Sequence, residues 1–172
     1  MGTARDGVFG RTDLMRTLTL CALLAAVVSC SPADESAKRR FAQAGANAVR
    51  DARDGLVWTA RDSDRELSWP DADRYCRALP RGSGEDRWRL PSIDELAALY
   101  DISTNEPCCE SAICRIEPSI HLTSPYQWSA TAPAPDRRFY YDFSQGSQLA
   151  PLIRPILTRR ALCTRGEHDA SP

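Results

Sequence analysis

Three cysteines and one histidine, Cys108, Cys109, Cys114 and His121, fall in a proline-broken stretch over residues 102–125. As a Cys3His set they are ligand types that zinc and copper accept. Their spacing follows no finger pattern, and thiols in an oxidising compartment form disulfides by default, so no metal is expected there. The same stretch displays Asn105, Glu106, Glu117 and His121, groups able to donate and accept hydrogen bonds with a ligand.

No catalytic signature accompanies them. The chain has no G-x-S-x-G, no H-E-x-x-H and no phosphate loop, and neither His121 nor His168 has a nucleophile partner in sequence. A non-catalytic protein without a cofactor is the expectation. Trp58, Trp69, Trp88 and Trp128 offer faces for stacking on a sugar or peptide, but indoles at hydrophobic-pattern positions usually belong to the core. Asp136 and Asp142 stand isolated and read as solvated surface carboxylates.

Lys plus Arg is 22 and Asp plus Glu is 23, a balance of −1. That gives no electrostatic footprint for nucleic acid. The one basic triplet, Lys38-Arg39-Arg40, reads as part of a solvated tether near a membrane. A length of 172 residues suits one domain.

Residues 1–29 read as an export signal. The apolar run over 18–28 is as long as a signal h-region and too short to span a bilayer. Arg16 supplies the positive flank, and Met15 is a plausible true start. Val27-Val28-Ser29-Cys30 resembles the lipobox of bacterial lipoproteins, which implies a diacylglyceryl thioether on Cys30 and cleavage just before it. Ser31 resembles the outer-membrane sorting class, so the expected location is the bacterial outer membrane, facing the periplasm or the surface. Residues 30–48 are too polar to bury a face and read as a lipidated flexible tether. A short amphipathic helix over 37–48 using Phe41 is the alternative.

The elements that position the polar stretch follow in order. Asp54-Gly55 between two β-prone runs predicts a hairpin with a two-residue turn. Ser68, with Pro70 in the first turn, starts a helix over 69–79 whose inner face carries Trp69, Ala72, Tyr75, Cys76 and Leu79. After a polar turn holding Gly82 and Gly84, Ser92 and Glu95 form a capping box for a second helix over 93–100. That helix should bury Ile93, Leu96, Ala97, Leu99 and Tyr100. Residues 102–125 read as a long loop, 126–131 and 138–143 as strands, 144–146 as a turn, and 152–157 and 160–164 as final strands. Hairpin, helix pair, loop and antiparallel strands argue for an α+β domain over 49–166, with 167–172 a disordered tail.

The run Gly55-Leu-Val-Trp58, Trp69 with Tyr75-Cys76, Trp88-Arg-Leu-Pro91 with Glu95-Leu96, Trp128-Ser129, Gly146 and Cys163-Thr-Arg165 resembles the C-terminal domain of Legionella collagen-like proteins. The resemblance implies a C-type-lectin-like fold, shared with formylglycine-generating enzymes, with two short helices on antiparallel strands and a long loop. It also implies a disulfide tying the first helix to the last strand, here Cys76 to Cys163. The loop then keeps three thiols for one bond, either Cys109–Cys114 or Cys108–Cys114, a vicinal bridge being sterically harder. The two disulfides are expected to use Cys76, Cys163, Cys109 and Cys114.

Two activities of similar folds find no support in these residues. Formylglycine-generating enzymes use a late pair of reactive cysteines, and Cys163 is the only late cysteine here. Calcium-dependent lectins resemble one another in carboxylate and amide ligands where this chain has Glu117-Pro118-Ser119 and Trp128-Ser129-Ala130. The expectation is an anchored envelope lipoprotein whose domain binds an envelope glycan, peptide or protein through Asn105, Glu106, Glu117 and His121. A structural or assembly role in an envelope complex is the alternative, and an oxidase the third.

Overall fold

The computed structural model describes residues 39–81, 87–109 and 111–166. The expected signal, Cys30, the first part of the tether, the glycine turn at 82–84, His168 and the tail lie outside the described residues.

Four short strands form one antiparallel sheet in the order β1-β2-β3-β9: β1 (Phe41–Gln43), β2 (Ala48–Asp51), β3 (Val57–Thr59) and β9 (Thr164–Arg165). Strand β1 therefore lies inside the segment read as a tether, and Phe41 sits in a strand rather than a helix. The physical reason is pairing: Phe41 lies opposite Asp51 and packs on the core, while Arg40 reaches the buried Asp51 carboxylate at 2.6 Å. The β2–β3 hairpin is present, but its connection runs over residues 52–56 instead of two. Asp51 and Asp54 lengthen it by accepting the Arg53 and Leu56 N–H groups, at 2.9 and 3.0 Å. Gly55 closes it at φ +77°, a conformation that favours glycine.

Helix α1 (Trp69–Ala78) has Ser68 as its N-cap and Pro70 in its first turn, and buries Ala72 and Cys76. Helix α2 (Ile93–Ala98) opens with the full capping box: Ser92 Oγ accepts from the Glu95 N–H at 3.1 Å, and Glu95 Oε2 accepts from the Ser92 N–H at 2.7 Å. Arg89 grips the same Glu95 carboxylate through two nitrogens, at 2.8 and 2.7 Å. Ile93, Leu96 and Leu99, three residues apart, share the buried face, so Ala97 turns outward, contrary to the expectation from sequence.

The stretch expected to be an irregular loop holds a second hairpin, β4 (Glu106–Cys109) and β5 (Ala112–Cys114). A third sheet has the order β6-β7-β8: β6 (Tyr126–Trp128), β7 (Tyr140–Asp142) and β8 (Ser147–Leu149). Gly146 turns the chain between β7 and β8 at φ +69°, and a Cβ there would meet the Tyr100 ring at 2.6 Å. Residues 152–157 do not form the expected strand. Pro151 and Pro155 withhold backbone donors there, and Leu152 makes only an isolated bridge to Arg137.

Two apolar clusters fill the molecule. One gathers Trp58, Leu96, Leu99, Ile116, Ile120, Leu122, Phe143 and Leu162. The other gathers Ala72, Cys76, Trp88, Leu90, Trp128, Ala161 and Cys163. Trp58, Trp88 and Trp128 are buried. Trp69 is half-buried, donates from Nε1 to the Ser129 carbonyl at 2.8 Å, and lies under the Arg138 guanidinium at 4.3 Å.

Candidate binding surface

Residues 102–125 are held at both ends. At the near end, the Asp101 N–H donates to the Arg115 carbonyl at 3.0 Å and the Arg115 N–H to the Phe143 carbonyl at 2.8 Å. The Arg115 guanidinium also donates to the Ser144 carbonyl at 3.1 Å, which ties the β4–β5 hairpin to the turn after β7. At the far end, the His121 N–H donates to the Ala60 carbonyl at 2.8 Å. Two residues further on, the Thr123 N–H and hydroxyl both donate to the buried Asp62 carboxylate, each at 2.7 Å. Gln127 Nε2 and the Asp64 N–H complete that carboxylate's partners, both at 3.0 Å. A buried carboxylate with four donors is solvated by the protein in place of water, and it holds the end of the loop against β3.

Cysteine placement follows from strand alternation. Successive side chains in β4 face opposite sides, so Cys108 is buried beside Cys114 and Cys109 faces solvent. The disulfide is Cys108–Cys114, with Cα atoms 5.6 Å apart. The loop pairing that used Cys109 is corrected accordingly: Cys109 is a free, exposed thiol. Cys76 and Cys163 form the other disulfide, Cα–Cα 5.5 Å, across 87 residues of sequence. With two of its thiols in a disulfide, the Cys3His set is not assembled, and among the described residues no group of three or more His, Cys, Asp or Glu side chains is placed to hold a metal.

The four candidate contact residues fall into two pairs. Asn105 is exposed and Glu106, half-buried, opens β4 directly across from Cys114. Glu117 is half-buried and accepts the Ser119 hydroxyl at 3.1 Å, and His121 is exposed beyond the turn in which the Ile120 N–H donates to the Glu117 carbonyl. No hydrogen bond or ion pair among the described residues joins one pair to the other. Ile102 and Ile113, 73% and 50% exposed, add apolar surface along the same stretch. The arrangement offers hydrogen-bonding groups on a pinned backbone, interspersed with aliphatic contact.

Ser119 and Ser129 are each engaged within the protein. The Ser119 hydroxyl is spent on Glu117, and Ser129 is buried with its hydroxyl donating to the Pro91 carbonyl at 3.1 Å. Asp136 is exposed as expected, but Asp142 is not a solvated group. It is buried and fixes the turn before Gly146 by accepting the Ser144 N–H and hydroxyl at 2.9 and 2.6 Å.

Two further carboxylates set the electrostatics of the frame. Burial alone would push the Asp51 carboxyl up, but the Arg40 hydrogen bonds, the Arg53 N–H and the two guanidinium charges together hold it below the usual range. Arg40 and Arg53 also donate to the Ala98 carbonyl, at 2.9 and 3.0 Å, where the C-terminus of α2 leaves acceptors free. Glu95 behaves alike: burial pushes its carboxyl up, and Arg89 with the Ser92 N–H brings it down further. Sequence reasoning found the Glu95 role through the capping box. It missed Asp51, Asp62 and Arg115, whose partners lie far off in sequence; the only local hint was the Asp-x-Asp spacing of Asp62 and Asp64.

These observations define a small mixed α/β domain, mostly strands with two short helices, stapled by two disulfides. The profile of the Lcl C-terminal domain matches residues 47–152, more than half of the chain. The chain belongs to the Lcl C-terminal domain family. No curated protein and no solved structure matches it.

Proposed function

We propose that this chain is an envelope-anchored lipoprotein whose domain, of C-type-lectin-like fold, is a non-catalytic module that binds an envelope glycan, peptide or protein. The observation that carries the reading is membership of the Lcl C-terminal domain family across residues 47–152. The binding face is the segment bearing Asn105, Glu106, Glu117 and His121, because its backbone is pinned at both ends while its polar side chains remain open. Two disulfides suit an oxidising space outside the cytoplasm. No described helix is long and apolar enough to cross a membrane, and the lipobox-like sequence ending at Cys30 supplies attachment instead. Lipoproteins of this kind carry several acyl chains, enough for stable anchoring where one chain is marginal.

Fractionation and capture test this reading. Cys30→Ser should move the protein from the membrane to the soluble envelope fraction, and unchanged fractionation contradicts the anchor. Crosslinked envelopes should yield a glycan or peptide that is lost with Glu106→Ala plus His121→Ala at unchanged thermal stability. Retention of the same ligand by that variant contradicts the assigned face.

A further inference from the structure

A second surface lies in the segment between β8 and β9, where a strand was expected over 152–157 and none forms. Leu149, Leu152 and Ile156 are exposed large apolar side chains, Ile156 at 87%. Leu152 and Ile156, with Arg137, Arg154, Pro151 and Leu157, line an open groove of about 470 Å³. Exposed single aliphatics are ordinary, but several on one prolyl segment form a patch that calls for a cover. Pro151 and Pro155 restrict the segment before anything binds, which lowers the ordering cost of presenting those side chains.

Charge says what the cover is. From residue 143 to 166 the chain has no Asp or Glu, while Arg154, Arg159, Arg160 and Arg165 fall within it. Arg154 is exposed and, like Arg137, makes no ion pair among the described residues. Arg137 is oriented by donating to the Ala150 carbonyl at 2.8 Å. The others are engaged: Arg160 faces Glu66 at 3.4 Å, Arg165 stacks over Trp88, and Arg159 lies over Tyr126 and Tyr140. Asp136 is the acidic residue next in sequence to the patch, and its backbone carbonyl holds the Ile153 N–H at 2.8 Å. Protruding aliphatics beside guanidiniums that make no ion pair among the described residues match the chemistry of an interface with acyl chains below and phosphates above.

We propose that residues 149–157, with Arg137, are a membrane-docking surface that sets Leu152 and Ile156 among the headgroups of an anionic bilayer. The proposal rests on the envelope reading for the presence of a membrane and adds an orientation to it. The nine residue steps from Cys30 to Arg39 span at most about 30 Å, so an anchor at Cys30 holds the domain within reach of the lipid surface. Docking through this patch gives the lipoprotein a defined posture in place of free swivelling.

The test uses the full lipidated chain in vesicles of phosphatidylethanolamine and phosphatidylglycerol, with phosphatidylcholine vesicles as comparison. On a Cys109→Ser background, an environment-sensitive dye is attached at Ile156→Cys, and in a control protein at Ile113→Cys. The expected result is a blue shift and quenching by spin-labelled lipid for the dye at 156, absent at 113. Arg137→Glu with Arg154→Glu should cut the docked fraction about tenfold or more on the anionic vesicles. A dye at 156 that stays in water on anionic vesicles overturns the proposal. So does patch-dependent retention in native envelopes without any shift on vesicles, which assigns the surface to a protein partner. The mass of Cys30 is read on the same samples: an unlipidated Cys30 with a shifted dye removes the anchor and leaves the docking surface standing, and the reverse pattern removes only the surface.

Discussion

The two disulfides sit in regions that use a covalent link for opposite ends. Cys76–Cys163 joins α1 to the residue before β9 across 87 positions, inside an apolar cluster with Trp88, Leu90 and Trp128. Cys108–Cys114 closes a span of 6 within one hairpin whose other face carries the free Cys109. A long closed loop removes much more entropy from the unfolded chain than a short one does. The first link therefore holds the frame together. The second mainly fixes the shape of the segment that carries the candidate contacts.

Breaking the links should expose that difference. Replacing Cys76 and Cys163 together with Ala should lower unfolding stability by about 4–5 kcal/mol, the largest loss expected of any pair here, measured by urea titration. Asp62→Ala comes next, at about 3 kcal/mol, because it strands the buried Gln127 amide and the donors of Thr123. Its loss should also loosen residues 121–127, seen as faster amide exchange there than in β2. Removing Cys108 and Cys114 should cost about 2 kcal/mol, with faster exchange confined to β4 and β5.

Acid should act on the frame through two carboxyls. The Asp51 and Glu95 carboxyls both titrate below their ordinary values in the folded protein. Their stabilisation is complete above the unfolded-state values near pH 4 and is lost as pH falls through the lower folded values. Urea midpoints measured from pH 7 to pH 2 should therefore drop below about pH 4, and Asp51→Asn should flatten that drop. The smallest effect belongs to the face: Glu106→Ala or His121→Ala should change stability by no more than about 0.5 kcal/mol while weakening ligand capture.

The same contrast explains what was legible in the sequence. Elements specified by neighbours could be read directly. Ser92 with Glu95 marked the start of α2, Ser68 and Pro70 marked α1, and Asp54-Gly55 marked the β2–β3 hairpin. Where distant partners decide, the reading failed. Phe41 looked like tether because its strand exists only through pairing with β2, and Asp142 looked solvated because its burial comes from packing across sheets. The β4–β5 hairpin lacked a turn signal strong enough to outweigh Pro107 and its bulge. Cys108 and Cys109 could not be ranked as partners until strand alternation showed which one points inward. That the four candidate contact residues divide into two separate pairs could not be read from the sequence, because it depends on the β4–β5 pairing and the turn over 117–120.

Differential alkylation is the most direct check on the framework. Folded protein is treated with one thiol reagent without reductant, then reduced, treated with a second reagent and sequenced by fragmentation mass spectrometry. The account predicts the first label on Cys109 and the second on Cys76, Cys108, Cys114 and Cys163. The first label on Cys76 or Cys163, or the second on Cys109, would contradict it.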